Sequence, residues 1–199
     1  MTVTELDDKT ALVLIDLQQG TLSAPTVPHA PGDVVGRAAR LAEAFREAGA
    51  PVVLVRMVNA ADGADAVKGR SEAARRAGAG GGNRRPHDLG PVADVLGGHP
   101  EDVQVTKRNW GAFYGTDLDL QLRRRGVTQI VLAGVATSLG VESTARAAHE
   151  HGYNVAFAVD AMTDINADAH AHSIAWVFPL VGELATTEEI CELLGKQAS

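Results

Sequence analysis

The chain has 199 residues, 45% of them apolar and 22% charged, with a formal net charge of −7. That length fits one domain spanning residues 1–199 around a buried core, and the acidic balance argues against nucleic acid as a partner. No apolar run approaches the ~20 residues of a membrane span.

The first eight residues, Met1-Thr2-Val3-Thr4-Glu5-Leu6-Asp7-Asp8, lack a basic segment followed by an apolar one, and Cys191 is the only cysteine. Both features suit a cytoplasmic protein. Residues 11–15 read as a buried strand. The stretch from Pro31 to Ala48 reads as a helix with Asp33 as its cap, and Val34, Ala38, Leu41, Ala42 and Phe45 share one face. Gly49 ends it. Strands are expected at 51–58, 103–106, 129–133, 154–159 and 183–185. Helices are expected at 116–125, capped by Thr116, at about 141–151, and at 167–177. Thr186 and Glu189 form a capping box for a last helix reaching Leu194.

Apolar strands alternating with amphipathic helices predict an α/β fold, with a parallel sheet covered on both faces. The stretch 59–100 is too long for an ordinary connection. It contains Ala77-Gly78-Ala79-Gly80-Gly81-Gly82-Asn83 and is expected to be a mobile loop with some helix over 66–77.

In such a sheet the ligand site lies beyond the carboxyl ends of the strands. Asp16 follows the first strand, Lys107 ends the third, and Ala136 to Gly140 follow the fourth. Burial favours the protonated form of Asp16, and a neighbouring ammonium favours the carboxylate. A carboxyl poised between these influences suits general acid–base work.

These segments carry a family resemblance. Residues 11–18 (Ala-Leu-Val-Leu-Ile-Asp-Leu-Gln), 105–113 (Val-Thr-Lys-Arg-Asn-Trp-Gly-Ala-Phe) and 134–146 (Gly-Val-Ala-Thr-Ser-Leu-Gly-Val-Glu-Ser-Thr-Ala-Arg) together resemble the isochorismatase-like hydrolases. The resemblance implies a six-stranded, mostly parallel sheet in a three-layer α/β/α sandwich. It also implies a cis peptide between Val135 and Ala136, and backbone N–H groups of Ala136 and Gly140 turned toward a developing oxyanion. Most members use an Asp, a Lys and a Cys; Asp16 and Lys107 match, and Gly140 stands in the place of the nucleophile. Glycine cannot form a covalent intermediate. True isochorismatases, which cleave a vinyl ether, also carry glycine there, and in them the aspartate protonates the vinyl ether carbon. The resemblance therefore implies a hydrolase acting noncovalently on a small, anionic substrate, with Asp16 as acid, Lys107 as charge partner and Gly140 as space plus donor. The turn itself, Gly134-Val135-Ala136-Thr137-Ser138, has the wording of the amidase-like branch rather than the Gly-Val-Tyr-Ala-His of isochorismatases.

Around this centre, Gln18, Trp110, Phe113, Tyr114, Ala136 and Ser138 are candidate substrate contacts. Arg84, on the long loop beside Arg85, is a candidate grip for a carboxylate. No counterpart of the metal residues of nicotinamidase relatives follows strand two, where the chain reads Arg56-Met57-Val58-Asn59-Ala60-Ala61-Asp62, so no metal or other cofactor is expected. Relatives suggest a homo-oligomer.

Two competing readings remain. Loss of the Cys could mark a catalytically inactive protein that binds small anions. Alternatively, the segment 136–140 echoes a nucleophile elbow, with Ser138 served by Asp160 and His170 or His172. Asp168 and His172 lie one helical turn apart without an evident third metal ligand.

Overall fold

The computed structural model describes residues 3–65, 71–72, 75 and 88–197. Arg84, Arg85 and most of the helix expected over 66–77 lie outside the described residues. Six strands form one sheet: β1 (Thr10–Ile15), β2 (Val52–Met57), β3 (Val103–Lys107), β4 (Gln129–Val135), β5 (Asn154–Thr163) and β6 (Glu183–Ala185). Their order is β3-β2-β1-β4-β5-β6, and every neighbouring pair is parallel.

The helices are α1 (Gln19–Leu22), α2 (Pro31–Glu47), α3 (Leu118–Arg124), α4 (Glu142–Glu150), α5 (Ala167–His172), α6 (Phe178–Val181) and α7 (Thr187–Gln197). Wide turns of π geometry lead into α4 (Thr137–Val141) and join α5 to α6 (Ser173–Val177).

The apolar strands are continuous because both faces of the sheet are covered. Successive residues alternate between two cores. Val13, Ile15, Val55, Val105 and Leu132 point to the side held by α3, α4 and α6, through Leu122, Ala145 and Phe178. Leu12, Leu14, Leu54 and Val131 point to the side held by α2 and α7, through Leu41, Phe45 and Ile190. The five α2 positions expected on one face are all buried.

Local signals hold at most ends and shift at a few. Thr186 and Glu189 make the capping box: the Thr186 N–H donates to Glu189 Oε2 at 2.7 Å and the Glu189 N–H to Thr186 Oγ1 at 3.3 Å. Asp33 is not the cap of α2. Ala30 holds that position, Pro31 begins the helix, and Asp33 sits in the first turn, where its charge complements the helix dipole. Strand β5 runs four residues beyond its expected end. Its register slips between Leu132↔Phe157 and Gly134↔Met162, so a bulge carries the chain past Asp160 and delivers Thr163 and Asp164 to the end of β4.

The sheet order reverses between β1 and β4, and the crevice beyond their carboxyl ends is where such folds bind ligands. Close approach there depends on Gly134. Its φ is +124°, and a Cβ would stand 2.7 Å from Ile15 N and 2.9 Å from Ile15 C, so any side chain would force β4 away from β1.

Candidate functional site

Register brings three segments to one rim. Ile15 pairs with Gly134 on one side and Val55 on the other, and Met57 pairs with Lys107. Asp16 therefore emerges beside the β4 turn, while Lys107 starts two strands away, about 10 Å at ordinary strand spacing. A lysine stem is long enough to cross the end of β2. Its ammonium meets Asp16 Oδ2 at 2.7 Å, with only 1% of the Lys107 side chain and 11% of that of Asp16 exposed. A second Lys107 N–H donates to the Trp110 carbonyl at 2.5 Å.

Asp16 has φ +51°, and it is the one non-glycine residue with positive φ among those described. Asp tolerates this left-handed conformation better than most residues do, and such outliers cluster at functional sites. Its own N–H donates to the Val55 carbonyl at 3.0 Å, which fastens the turn to β2.

Gly140 completes the group. A Cβ built on it would lie 3.4 Å from Asp16 Oδ2, 3.4 Å from Lys107 Nζ and 3.0 Å from Ile15 Cγ2. The direction a side chain would take at position 140 thus points straight at the ion pair, and that space is left to the cavity. The Val135–Ala136 peptide is cis, as the resemblance implied. The Ala136 carbonyl receives the Leu139 and Val141 N–H groups, both at 3.2 Å, and the Ser138 N–H goes to Asp164 Oδ2 at 2.7 Å. Gly140 lies between Leu139 and Val141 in the turn that leads into α4.

A cavity of about 280 Å³ opens on this centre. Its described lining is Asp16, Gly20, Thr21, Ala24, Met57, Leu89, Lys107, Trp110, Val135, Ala136, Leu139, Gly140 and Ile165. Of the residues singled out by sequence, Asp16, Lys107, Gly140, Trp110 and Ala136 come together here. Four do not line it. Gln18 is fully buried and works as a clamp: its amide receives the Met57 N–H at 2.7 Å and donates to the Gly90 carbonyl at 2.8 Å, which holds two segments of the wall. Phe113 turns into the core, stacked on His151 with ring centroids 5.0 Å apart. Tyr114 is 77% exposed and outside the cavity. Ser138 contributes its backbone to the Asp164 contact.

Gly20, Thr21, Ala24, Met57, Leu89, Val135, Leu139 and Ile165 were not anticipated. Met57 and Val135 could have been found from the rule that strand ends bound the site. Leu89 and Ile165 sit on loops that only the fold brings near.

Among the described residues, Ser138, Asp160 and His170 do not come together. The ring Nδ1 of His170 lies 2.9 Å from the Thr137 hydroxyl, not from Ser138. Asp160 instead accepts from the Thr187 N–H at 2.7 Å, at the start of α7. Burial, above all, together with neighbouring His29 holds the His170 imidazole below its usual pKa, while Asp164 opposes them. Burial pushes the Cys191 thiol upward, which makes it a poor nucleophile. Among the described residues no cluster of three His, Cys, Asp or Glu is placed to hold a metal. No helix among them is long and apolar enough to cross a membrane.

Known proteins share this fold. The sequence profile of the isochorismatase domain matches residues 10–189. The chain is 47% identical over 191 residues to the isochorismatase family protein YecD of Escherichia coli O157:H7, covering 96% of this chain and 99% of that one. It superposes with a TM-score of 0.87 on an isochorismatase family protein from Burkholderia thailandensis, at 43% identity over 98% of this chain and 100% of the other. It also superposes on N-carbamoylsarcosine amidase from Thermoplasma acidophilum, with a TM-score of 0.69, 25% identity, and coverage of 90% and 97%.

Proposed function

The chain belongs to the isochorismatase family of hydrolases, and from that premise we propose that it hydrolyses a small molecule without a covalent intermediate, with Asp16 as general acid. The observation that carries this reading is the space beside Gly140, where a Cβ would lie 3.4 Å from both Asp16 Oδ2 and Lys107 Nζ. No nucleophile is available at that position, while an acid, a cation and a backbone donor surround the space it leaves. For a vinyl ether the step balances as follows. Asp16 gives its proton to the alkene carbon, water adds to the resulting oxocarbenium ion and returns a proton to the Asp16 carboxylate, and the hemiketal collapses to a carbonyl compound and an alcohol. Lys107 holds the charge that Asp16 gains and loses, and the Gly140 N–H steadies oxygen charge.

The enzyme is proposed to work as a single cytoplasmic domain within a homo-oligomer. Exposed Trp176, on the turn before α6, and Leu180, on α6, each 66% accessible, are suited to a subunit interface, and light scattering tests that assembly.

Purified protein, offered isochorismate, simpler vinyl ethers and small amides, is expected to turn over vinyl ethers only. Asp16→Asn, which keeps the side-chain shape and tolerates positive φ, is expected to cut kcat by about 10²–10⁴. Undiminished turnover in that variant defeats the assignment. A wild-type protein that binds members of the panel and converts none is instead a binding protein.

A further inference from the structure

The floor of the cavity is assembled from two segments that the sheet keeps apart. One runs from Lys107 to Ala112, after β3; the other is the turn Thr137–Val141, after β4. Strands β2 and β1 stand between them. Their separation nevertheless sets the geometry of the site, because a Cβ on Gly140 would lie 3.4 Å from Lys107 Nζ.

Thr144, in the first turn of α4, ties the two segments together. Its side chain is fully buried. A hydroxyl has one hydrogen to donate and two lone pairs to accept with. The Thr144 hydroxyl donates to the Gly140 carbonyl at 2.7 Å and accepts the Ala112 N–H at 3.0 Å. A Thr bonded to the carbonyl four residues back is ordinary in a helix. Holding with the same oxygen a backbone N–H 32 residues away in the chain is a task the helix does not require. Ala112 is itself buried, so its N–H, deprived of that oxygen, would be left unsatisfied at a cost. The two segments also touch beside this bond: a Cβ on Gly111 would lie 3.4 Å from both Ser143 Cβ and the Ser143 carbonyl oxygen.

We infer that Thr144 is a positioning residue, whose hydroxyl fixes Gly140 and the space beside it against the segment that carries Lys107 and Trp110. It rests on the reading that the reacting group sits beside Gly140. A misplacement of about 1 Å in such a site costs on the order of 10²-fold in rate, so a bond that sets this spacing governs turnover without touching the substrate.

The test compares Thr144→Val, which keeps the shape and removes the hydroxyl, with Thr144→Ser, which keeps the hydroxyl and removes the methyl. The first readout is amide hydrogen exchange followed by NMR. The Leu139 and Val141 N–H groups bond to the Ala136 carbonyl, not to Thr144. In Thr144→Val they are nevertheless expected to exchange about tenfold faster or more, as the turn loosens; in Thr144→Ser they stay near wild type. The second readout is turnover of a reactive vinyl ether. Thr144→Val is expected to lose about tenfold or more in kcat with KM within about twofold, while Thr144→Ser keeps both. Both variants lower Tm, one by orphaning a buried N–H and the other by leaving a small cavity. A merely structural role would therefore reduce kcat in both alike. Unchanged exchange at Leu139 and Val141 in Thr144→Val, equal exchange in the two variants, or equal loss of kcat in both overturns the inference. Should Thr144→Val fail to fold, Thr144→Ala takes its place. A wild-type protein that converts no vinyl ether defeats acid catalysis instead, and the exchange rates then decide the role of Thr144 alone.

Discussion

The floor and the rim of the cavity are built differently. The floor consists of Asp16, Lys107 and Gly140. All three are buried, and each is fixed by the end of a strand or the start of a helix. The rim consists of Trp110 and Ile165, which are 58% and 63% exposed, together with Leu89 from a connecting segment. Groups that do chemistry need positions held to a fraction of an ångström, and rigid elements supply them. Groups that select a ligand work through shape and apolar area, and loops can supply those. Mutations of the floor are therefore expected to cost both stability and turnover, while mutations of the rim cost affinity alone.

The sharpest separation comes from Lys107→Met. It strands the Asp16 carboxyl without its buried partner, a loss of about 3–5 kcal/mol. A fall of about 10 °C in Tm is expected, along with loss of turnover. Adding Asp16→Asn removes the stranded charge, so the double variant is expected to recover much of the Tm and none of the activity. A single variant as stable as wild type would show that the pair is not a structural part of the floor.

Trp110→Ala keeps the backbone carbonyl that receives Lys107 and removes only the ring. KM is expected to rise about tenfold, ~1.4 kcal/mol of binding, with kcat and Tm nearly unchanged. A drop in kcat comparable to that of Asp16→Asn would erase the distinction between floor and rim.

The smallest effect concerns the support beneath the floor. His170 contacts the hydroxyl of Thr137 at the base of the β4 turn, and burial holds its folded pKa below 6.5. As pH falls below that value, the unfolded chain takes up a proton that the folded protein resists. The contribution to stability is complete above pH 6.5 and is lost toward the depressed folded value. Tm measured from pH 7.5 downward is expected to fall more steeply for wild type than for His170→Gln; parallel slopes would remove His170 from the account.

The same contrast separates what was legible in the chain from what was not. Asp16 and Lys107 could be read because each ends an apolar run, and the end of a parallel strand has a known location. Gly140 could be read because the segment around it has a recognisable order. Gln18 and Phe113 lie in the same motifs, yet one clamps backbone and the other fills the core. Adjacency in sequence does not tell which way a side chain points once neighbours pack against it. The extension of β5 to Thr163 was hidden because Asp160 breaks the apolar pattern while the bulge lets the strand resume. That bulge is what brings Asp164 to the Ser138 N–H.

By itself the sequence determined the α/β class, the face of α2, the capping box of α7 and the places of Asp16, Lys107 and Gly140 at the ends of strands and the start of a helix. These depend on local periodicity and on residue types, which the chain carries in linear order. Only tertiary structure decided that Lys107 spans β2 to neutralise Asp16 and that apolar side chains from distant loops close over the pair. Both outcomes depend on strand register and loop packing, where residues far apart in the chain compete for the same space. The pairing of Asp16 with Lys107 follows from that competition.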